Sequence, residues 1–443
     1  MRMATATILV SWTVAIAALA GCGSSDPSTT LVTIATVNNG DMIVMKKLAA
    51  EFEHENPSIR LRWVVLEENV LRQRVTTDVA TGAGQFDVVT IGNYEAPIWA
   101  ELKWLMPISA LPTDYDVEDL LQPVREAVTY RGQLFALPFY AESAMTYYRA
   151  DLFAKAGLKM PERPTYAQIA KFADRLTDRS KQVYGICLRG KPGWGENMAT
   201  ITAIVHAFGG RWFDMSWHAA LDTPEWHRGI TYYSDLLRKD GPPGATANGF
   251  NENLALFASG HCAIWIDATV AATLLYGGET SRVSGAVSYA PMPLGEDVHA
   301  PTWLWSWNLA VPGSSRHAGA AMKFAAWATS KAYVRLVAKT QGWIFAPPGT
   351  RQSTYDSAEY RRAAPFAAFV QNAIKNALPK DSEATPRPYK SAQFVSIPSY
   401  QGIGTQVGQI IAATLTGQTD VDAALKESQA ITERALEQSG QAK

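Results

Sequence analysis

The first hundred residues switch repeatedly between two hydrophobic periodicities, and this alternation restricts the available folds more than any other feature. Residues 31–37 alternate as a strand and end in the polar turn Asn38-Asn39-Gly40-Asp41, where Asp41 stands as a helix cap. Residues 42–55 then carry Ile43, Met45, Leu48, Ala49 and Phe52 at the spacing of an amphipathic helix that stops at Asn56-Pro57. Residues 59–66 read as a second strand, 70–80 as a second helix closed by Gly82, and 86–91 as a third strand. A βαβαβ order implies a parallel sheet with right-handed crossovers. Such sheets bind ligands at the carboxyl ends of their strands. The ends available here are Asn38-Asn39 and Asn93-Tyr94-Glu95, polar groups that are not catalytic in type.

Two further stretches carry ligand-type chemistry. Residues 302–311 place Trp303, Trp305 and Trp307 at every second position, with Leu304, Ser306 and Asn308 on the opposite face and prolines at 301 and 312. A row of indoles offers flat apolar faces and N–H donors, which suits a sugar or sugar alcohol better than a phosphate or a metal. The competing use of such a strand is core packing. The second stretch is Arg189-Gly190-Lys191-Pro192-Gly193-Trp194-Gly195-Glu196-Asn197, whose glycines allow the backbone to approach a ligand closely. A mobile surface loop is the alternative.

The amino terminus addresses the chain to the cell surface. Residues 1–21 hold one basic residue, Arg2, followed by an apolar run too short to span a membrane comfortably, and read as a signal peptide. They end in Leu19-Ala20-Gly21-Cys22, which resembles the bacterial lipobox, in which the cysteine is diacylated and becomes the new amino terminus. Residues 22–30 are then lipidated Cys22 and a polar tether. Anchoring to the outer face of the cell membrane without spanning it is the expectation.

Composition excludes several classes. The chain has 40 basic and 41 acidic residues; removing residues 1–21 takes away Arg2 alone, leaving 39 against 41, a net charge near −2 and no case for nucleic acid. No His-x-x-x-His pair occurs among the seven histidines, so no zinc site is supported. Gly402 to Gly408 misses the dinucleotide spacing by one residue and follows no clear strand. Asp114-Tyr115-Asp116 begins like a calcium loop, but Asp119 and Arg125 stand where glycine and glutamate are required. Neither a metal nor a cofactor is expected. Glu142 with Glu196 is the remaining glycosidase-like pair, and acceptance of sugar hydroxyls is the simpler role for both. Export permits a disulfide between Cys187 and Cys262, with buried free thiols as the other outcome.

These stretches, with Phe86-Asp87-Val88-Val89, Pro138-Phe139-Tyr140, residues 260–267 and Trp305-Ser306-Trp307-Asn308-Leu309-Ala310, resemble an extracellular solute-binding protein of a carbohydrate ABC importer over essentially the whole mature chain. More narrowly, Thr36-Val37-Asn38-Asn39-Gly40-Asp41-Met42, residues 67–75, residues 190–198 and Gly249-Phe250-Asn251-Glu252-Asn253 resemble the sorbitol/mannitol-binding branch. The resemblance implies an α/β, two-lobed periplasmic-binding-protein-like clamp, each lobe a mainly parallel sheet flanked by helices. It implies lobes at 31–140 plus 305–352 and at 141–304 plus 353–443, with a polyol or small sugar captured in the cleft by a monomer and passed to permease subunits. The expected ligand contacts are Asn38, Asn39, Asp87, Tyr94, Tyr140, Glu142, Trp194, Glu196, Asn197, Asp267, Trp305, Trp307, Asn308, Trp343 and Arg351. A surface-anchored glycan-active enzyme and an adhesin without a transporter are the competing functions.

Overall fold

A computed structural model describes residues 29–278, 281–295, 303–377 and 386–439. The signal peptide, Cys22 and the tether as far as residue 28 lie outside the described residues, as does Thr302.

The strands form two main sheets. The first contains β1 (Thr30–Val37), β2 (Ile59–Leu66), β3 (Val88–Gly92), β4 (Leu137–Glu142) and, much later in the chain, β9 (Trp305–Ala310). Its order is β2-β1-β3-β9-β4. The second contains β5 (Ala144–Arg149), β6 (Tyr184–Cys187), β7 (Cys262–Ala268) and β8 (Val287–Ala290), in the order β8-β5-β7-β6. In each sheet a single strand runs against the rest. β9 is antiparallel to both β3 and β4, while β1 is parallel to β2 and β3. In the second sheet β5 is antiparallel to both β7 and β8, while β6 and β7 are parallel. The chain passes from one sheet to the other at Ser143, between β4 and β5.

Helices follow the apolar stripes. The helix Gly40–Glu55 buries Met42, Met45, Leu48, Ala49 and Phe52, whereas Ile43, expected on that face, is 55% exposed. Met42 sits three residues before Met45, so it continues the stripe that Ile43 would leave. The helix Glu68–Thr81 is capped by the Glu67 side chain, which accepts from the amides of Asn69 and Val70, and it ends at Gly82 in the left-handed region. A turn in which Gly417 adopts a φ of 74° separates the helices Tyr400–Leu415 and Val421–Gln438. Among the described residues, no helix is long and apolar enough to cross a membrane.

The sequence left the two buried cysteines open, and the structure joins them. Cys187 at the end of β6 and Cys262 at the start of β7 form a disulfide with Cα atoms 5.9 Å apart, closing a separation of 75 residues. A loop of that length, held open in the unfolded chain once the bond is lost, sets the expected effect. Cys262→Ala should lower unfolding stability by about 2–4 kcal/mol. Denaturant titration checks this, and an unchanged midpoint would show that the bridge contributes nothing.

Candidate functional site

Between the two sheets lies a narrow cleft. Its walls come from strand ends, two helix starts and one loop. Asn39 immediately precedes the helix Gly40–Glu55 after β1, and Glu68 and Arg72 occupy the first turns of the helix after β2. Trp305 and Trp307 stand on β9, and Glu142 ends β4. Arg189, Trp194, Gly195, Ala199 and Phe250 come from the side of the second sheet, and Gln393 and Phe394 from the segment before the helix Tyr400–Leu415.

Arg72 organises the floor. Its guanidinium carbon lies 4.1 Å from the ring centroid of Trp194 and 4.8 Å from those of Trp305 and Trp307. Glu68 at 2.8 Å and Glu95 at 3.0 Å hold it in that position. A buried cation with two carboxylates and three π-faces is well compensated. Arg189 repeats the arrangement on the other side. It is paired with Asp267 at 2.6 Å, donates to the Gly195 carbonyl at 3.0 Å and lies 5.3 Å from the Phe250 ring centroid.

The loop carrying Trp194 is ordered by its neighbours. The amides of Gly190 and Lys191 donate to the Asn248 carbonyl, and Asn197 accepts from the Gly193 amide and donates to the Gly408 carbonyl. The loop rests on one face of the helix Tyr400–Leu415. A Cβ at Gly404 would stand 2.8 Å from Trp194 Cβ, and one at Gly408 would stand 2.6 Å from Asn197 Oδ1. The glycines of the failed dinucleotide motif therefore give the loop its seat. Gly195 serves the opposite surface, where a Cβ would lie 2.7 Å from Glu68 Oε1. The rims of the cleft touch: Lys191 pairs with Glu67 at 2.6 Å, Asn69 donates to the Pro192 carbonyl, and the Tyr94 hydroxyl donates to the Ile397 carbonyl.

Of the expected contacts, the structure brings Asn39, Glu142, Trp194, Trp305 and Trp307 together on the cleft wall. Several others stand one layer behind it. Tyr140 accepts from Asn39 Nδ2 at 2.9 Å, Asp267 orients Arg189, and the Tyr94 ring backs that of Trp194 at 4.8 Å. Glu196 is buried behind the loop, 3.7 Å from both Arg189 and Lys191, and is not among the lining residues. The suggested pair of Glu142 and Glu196 is thus not presented jointly to a ligand. Asn38 sits at the rim, where its Oδ1 accepts from Asn251 at 3.4 Å.

The remaining expected residues lie away from the cleft wall. Asp87 accepts from the Thr33 amide and Ser315, tying β1 to a later turn. Asn197 anchors its own loop. Asn308, on the face of β9 opposite Trp307, donates to the carbonyls of Ile91 and Ser306. Arg351 is committed to Asp119 and the Thr329 carbonyl, and Trp343, half-buried in a short helical turn, does not line the cleft. The indole row also shortens, because β9 begins at Trp305 and Trp303 precedes it, buried. Sequence reasoning missed Glu68, Arg72, Arg189, Phe250 and Gln393. Glu68, Arg72 and Phe250 fall inside stretches already noted for resemblance and Arg189 just before one, but helix or loop polarity gave no sign of which side chains turn inward.

A model of the bacterial extracellular solute-binding protein family matches residues 39–335, more than half of the chain. The chain belongs to that family. This solute-binding protein is 52% identical over 409 residues to a mannitol-binding protein of Pseudomonas aeruginosa, covering 92% of this chain and 94% of the relative. An ABC transporter solute-binding protein from Agrobacterium vitis, solved with bound D-mannitol, superposes with a TM-score of 0.90 at 55% identity, covering 93% of this chain and 99% of that one. A second, from Agrobacterium radiobacter in complex with ribitol, superposes with a TM-score of 0.80 at 25% identity, covering 92% and 100%.

The cleft's electrostatics yield two predictions. Arg72→Ala would strand Glu68 and Glu95 in a buried site, so unfolding stability should fall by about 3–5 kcal/mol in denaturant. Burial pushes the Glu196 carboxyl up to about 8 from its usual 4.5, with Glu68 adding to the rise and Arg189 and Lys191 opposing it. A carboxyl raised in this way takes up a proton on folding, so its contribution makes stability fall as pH rises from the unfolded value towards the folded one. Thermal midpoints measured from about pH 5 to about pH 8 should therefore decline less steeply in Glu196→Gln than in the parent. Parallel profiles would place the titration elsewhere.

Proposed function

We propose that this protein captures a sugar alcohol or small sugar in the cleft and delivers it to the permease subunits of an ABC importer. The observation that carries the reading is the wall itself, where the indoles of Trp194, Trp305 and Trp307 face polar side chains that include Asn39, Glu142 and Gln393. Indole faces match the C–H surface of a polyol, and the polar groups match its hydroxyls. The sequence identity shared with a mannitol-binding relative, together with the mannitol and ribitol held by the two structural neighbours, supports an acyclic polyol over an oligosaccharide.

In this reading the lobes are 31–140 plus 305–352 and 141–304 plus 353–443, and closure brings Trp194 onto the Arg72 side of the cleft. The helix Ala367–Lys375, counted with the second lobe, also packs on β4 of the first sheet, so the last crossing is a broad one. The protein acts as a monomer, without a cofactor or a catalytic step. Lipid on Cys22 holds it at the outer face of the cell membrane beside the permease.

Calorimetric titration of the protein with D-mannitol, D-sorbitol, ribitol and maltose tests the ligand class. A polyol Kd near micromolar is expected, corresponding to about −8 kcal/mol. Trp307→Ala should weaken it while maltose remains a poor ligand, and maltose binding with no polyol binding would refute the polyol reading. Anchoring has its own test. Cys22→Ala should abolish incorporation of labelled palmitate while leaving export intact; continued labelling would place the lipid elsewhere.

A further inference from the structure

Two polar side chains on the cleft wall carry oxygens that no hydrogen bond from a described residue reaches. Gln393 is 5% exposed and its Oε1 is buried without a hydrogen bond. Glu142 is 4% exposed, and no hydrogen bond from a described residue reaches its carboxyl. Buried polar atoms are nearly always satisfied, so an unsatisfied Gln393 Oε1 on the same cleft wall as the unbonded Glu142 carboxyl points to a ligand that completes them. A carboxamide oxygen can only accept, and a carboxyl accepts in either protonation state. What they require is a pair of hydrogen-bond donors, which two ligand hydroxyls would supply.

The cations of the cleft point the same way. Arg72 is neutralised by Glu68 and Glu95, and Arg189 by Asp267 with Glu196 nearby. An incoming phosphate or carboxylate would lose its water and find both lining guanidinium groups already paired, with the Glu142 carboxyl beside it. A donor-rich ligand without negative charge meets both conditions.

We propose that Glu142 and Gln393 are specificity-determining residues that accept hydrogen bonds from two hydroxyls of the ligand, and that the cleft admits neutral polyols while rejecting their phosphorylated and oxidised derivatives. The inference rests on the polyol reading above and adds to it the two accepting atoms and the exclusion of anions. It separates uptake of the free alcohol from uptake of the same carbon chain carrying a charge.

Calorimetric titration with D-mannitol, its 1-phosphate and the corresponding aldonate tests this on the parent protein, Gln393→Met, Glu142→Ala and Glu142→Gln. The parent should bind mannitol at least about a hundredfold more tightly than either anion. Gln393→Met should lose roughly ten- to a hundredfold in mannitol affinity, the range expected when a buried hydroxyl is left without its acceptor. Its unliganded thermal midpoint should barely move, because Oε1 supports no bond within the protein. Glu142→Ala should lose a similar factor, and Glu142→Gln, which keeps an accepting oxygen, should recover most of it. Mannitol binding by Gln393→Met at the parental affinity, or binding of either anion within about tenfold of mannitol, would overturn the inference. Failure of every polyol to bind would remove the functional reading and this inference together.

Discussion

The cleft depends on one buried cation. Arg72 would be costly to desolvate alone, and it is tolerated because Glu68 lies one helical turn before it and Glu95 reaches it from the start of the helix that follows β3. Once fixed, the guanidinium provides a plane on which three indoles from two parts of the molecule converge. Trp305 and Trp307 reach it from the first sheet and Trp194 from a loop of the second. A single charge thus sets the distance between the two halves at the place where a ligand must fit.

The loop bearing Trp194 is held between two surfaces that accept only glycine. Gly404 and Gly408 recur at a spacing of four on one helix, so their bare faces lie in a row beneath the loop. Gly195 removes the side chain on the loop's other side, where Glu68 and Arg72 approach. Helix propensity would favour alanine at 404 and 408. Close packing of an indole-bearing loop accounts for the less favourable residue, and it rigidifies a segment whose composition alone would predict mobility.

Electrostatic balance completes the site. Carboxylates outnumber the two arginines on and behind the wall, and burial raises Glu95, Glu142 and Glu196 above their usual range. Such a cleft presents acceptors and π-faces without a strong net field, the environment in which hydroxyl groups compete best with water.

The chain's periodicities alone determined the βαβαβ start, the strand and helix order around it, and the placement of indoles at 305 and 307 on one face. These are local properties: a period of two or near 3.6 is written within a few residues and survives any packing. The position of Trp194 in a glycine-rich loop and the polar end of β1 were equally legible. Tertiary structure alone decided which polar residues face the cleft. Asp87, Asn308 and Arg351 have the same chemistry as Asn39, Glu142 and Arg189, yet they satisfy backbone groups and carboxylates elsewhere. Gln393 lies in a segment with no regular period, so nothing in its neighbourhood signals that its carboxamide is buried. Whether Cys187 meets Cys262 was likewise beyond the sequence, because adjacency of β6 and β7 is a property of the sheet order. Side-chain type is local information, whereas the partner that consumes a hydrogen bond comes from distant parts of the chain, and only the assembled fold shows which groups remain for a ligand.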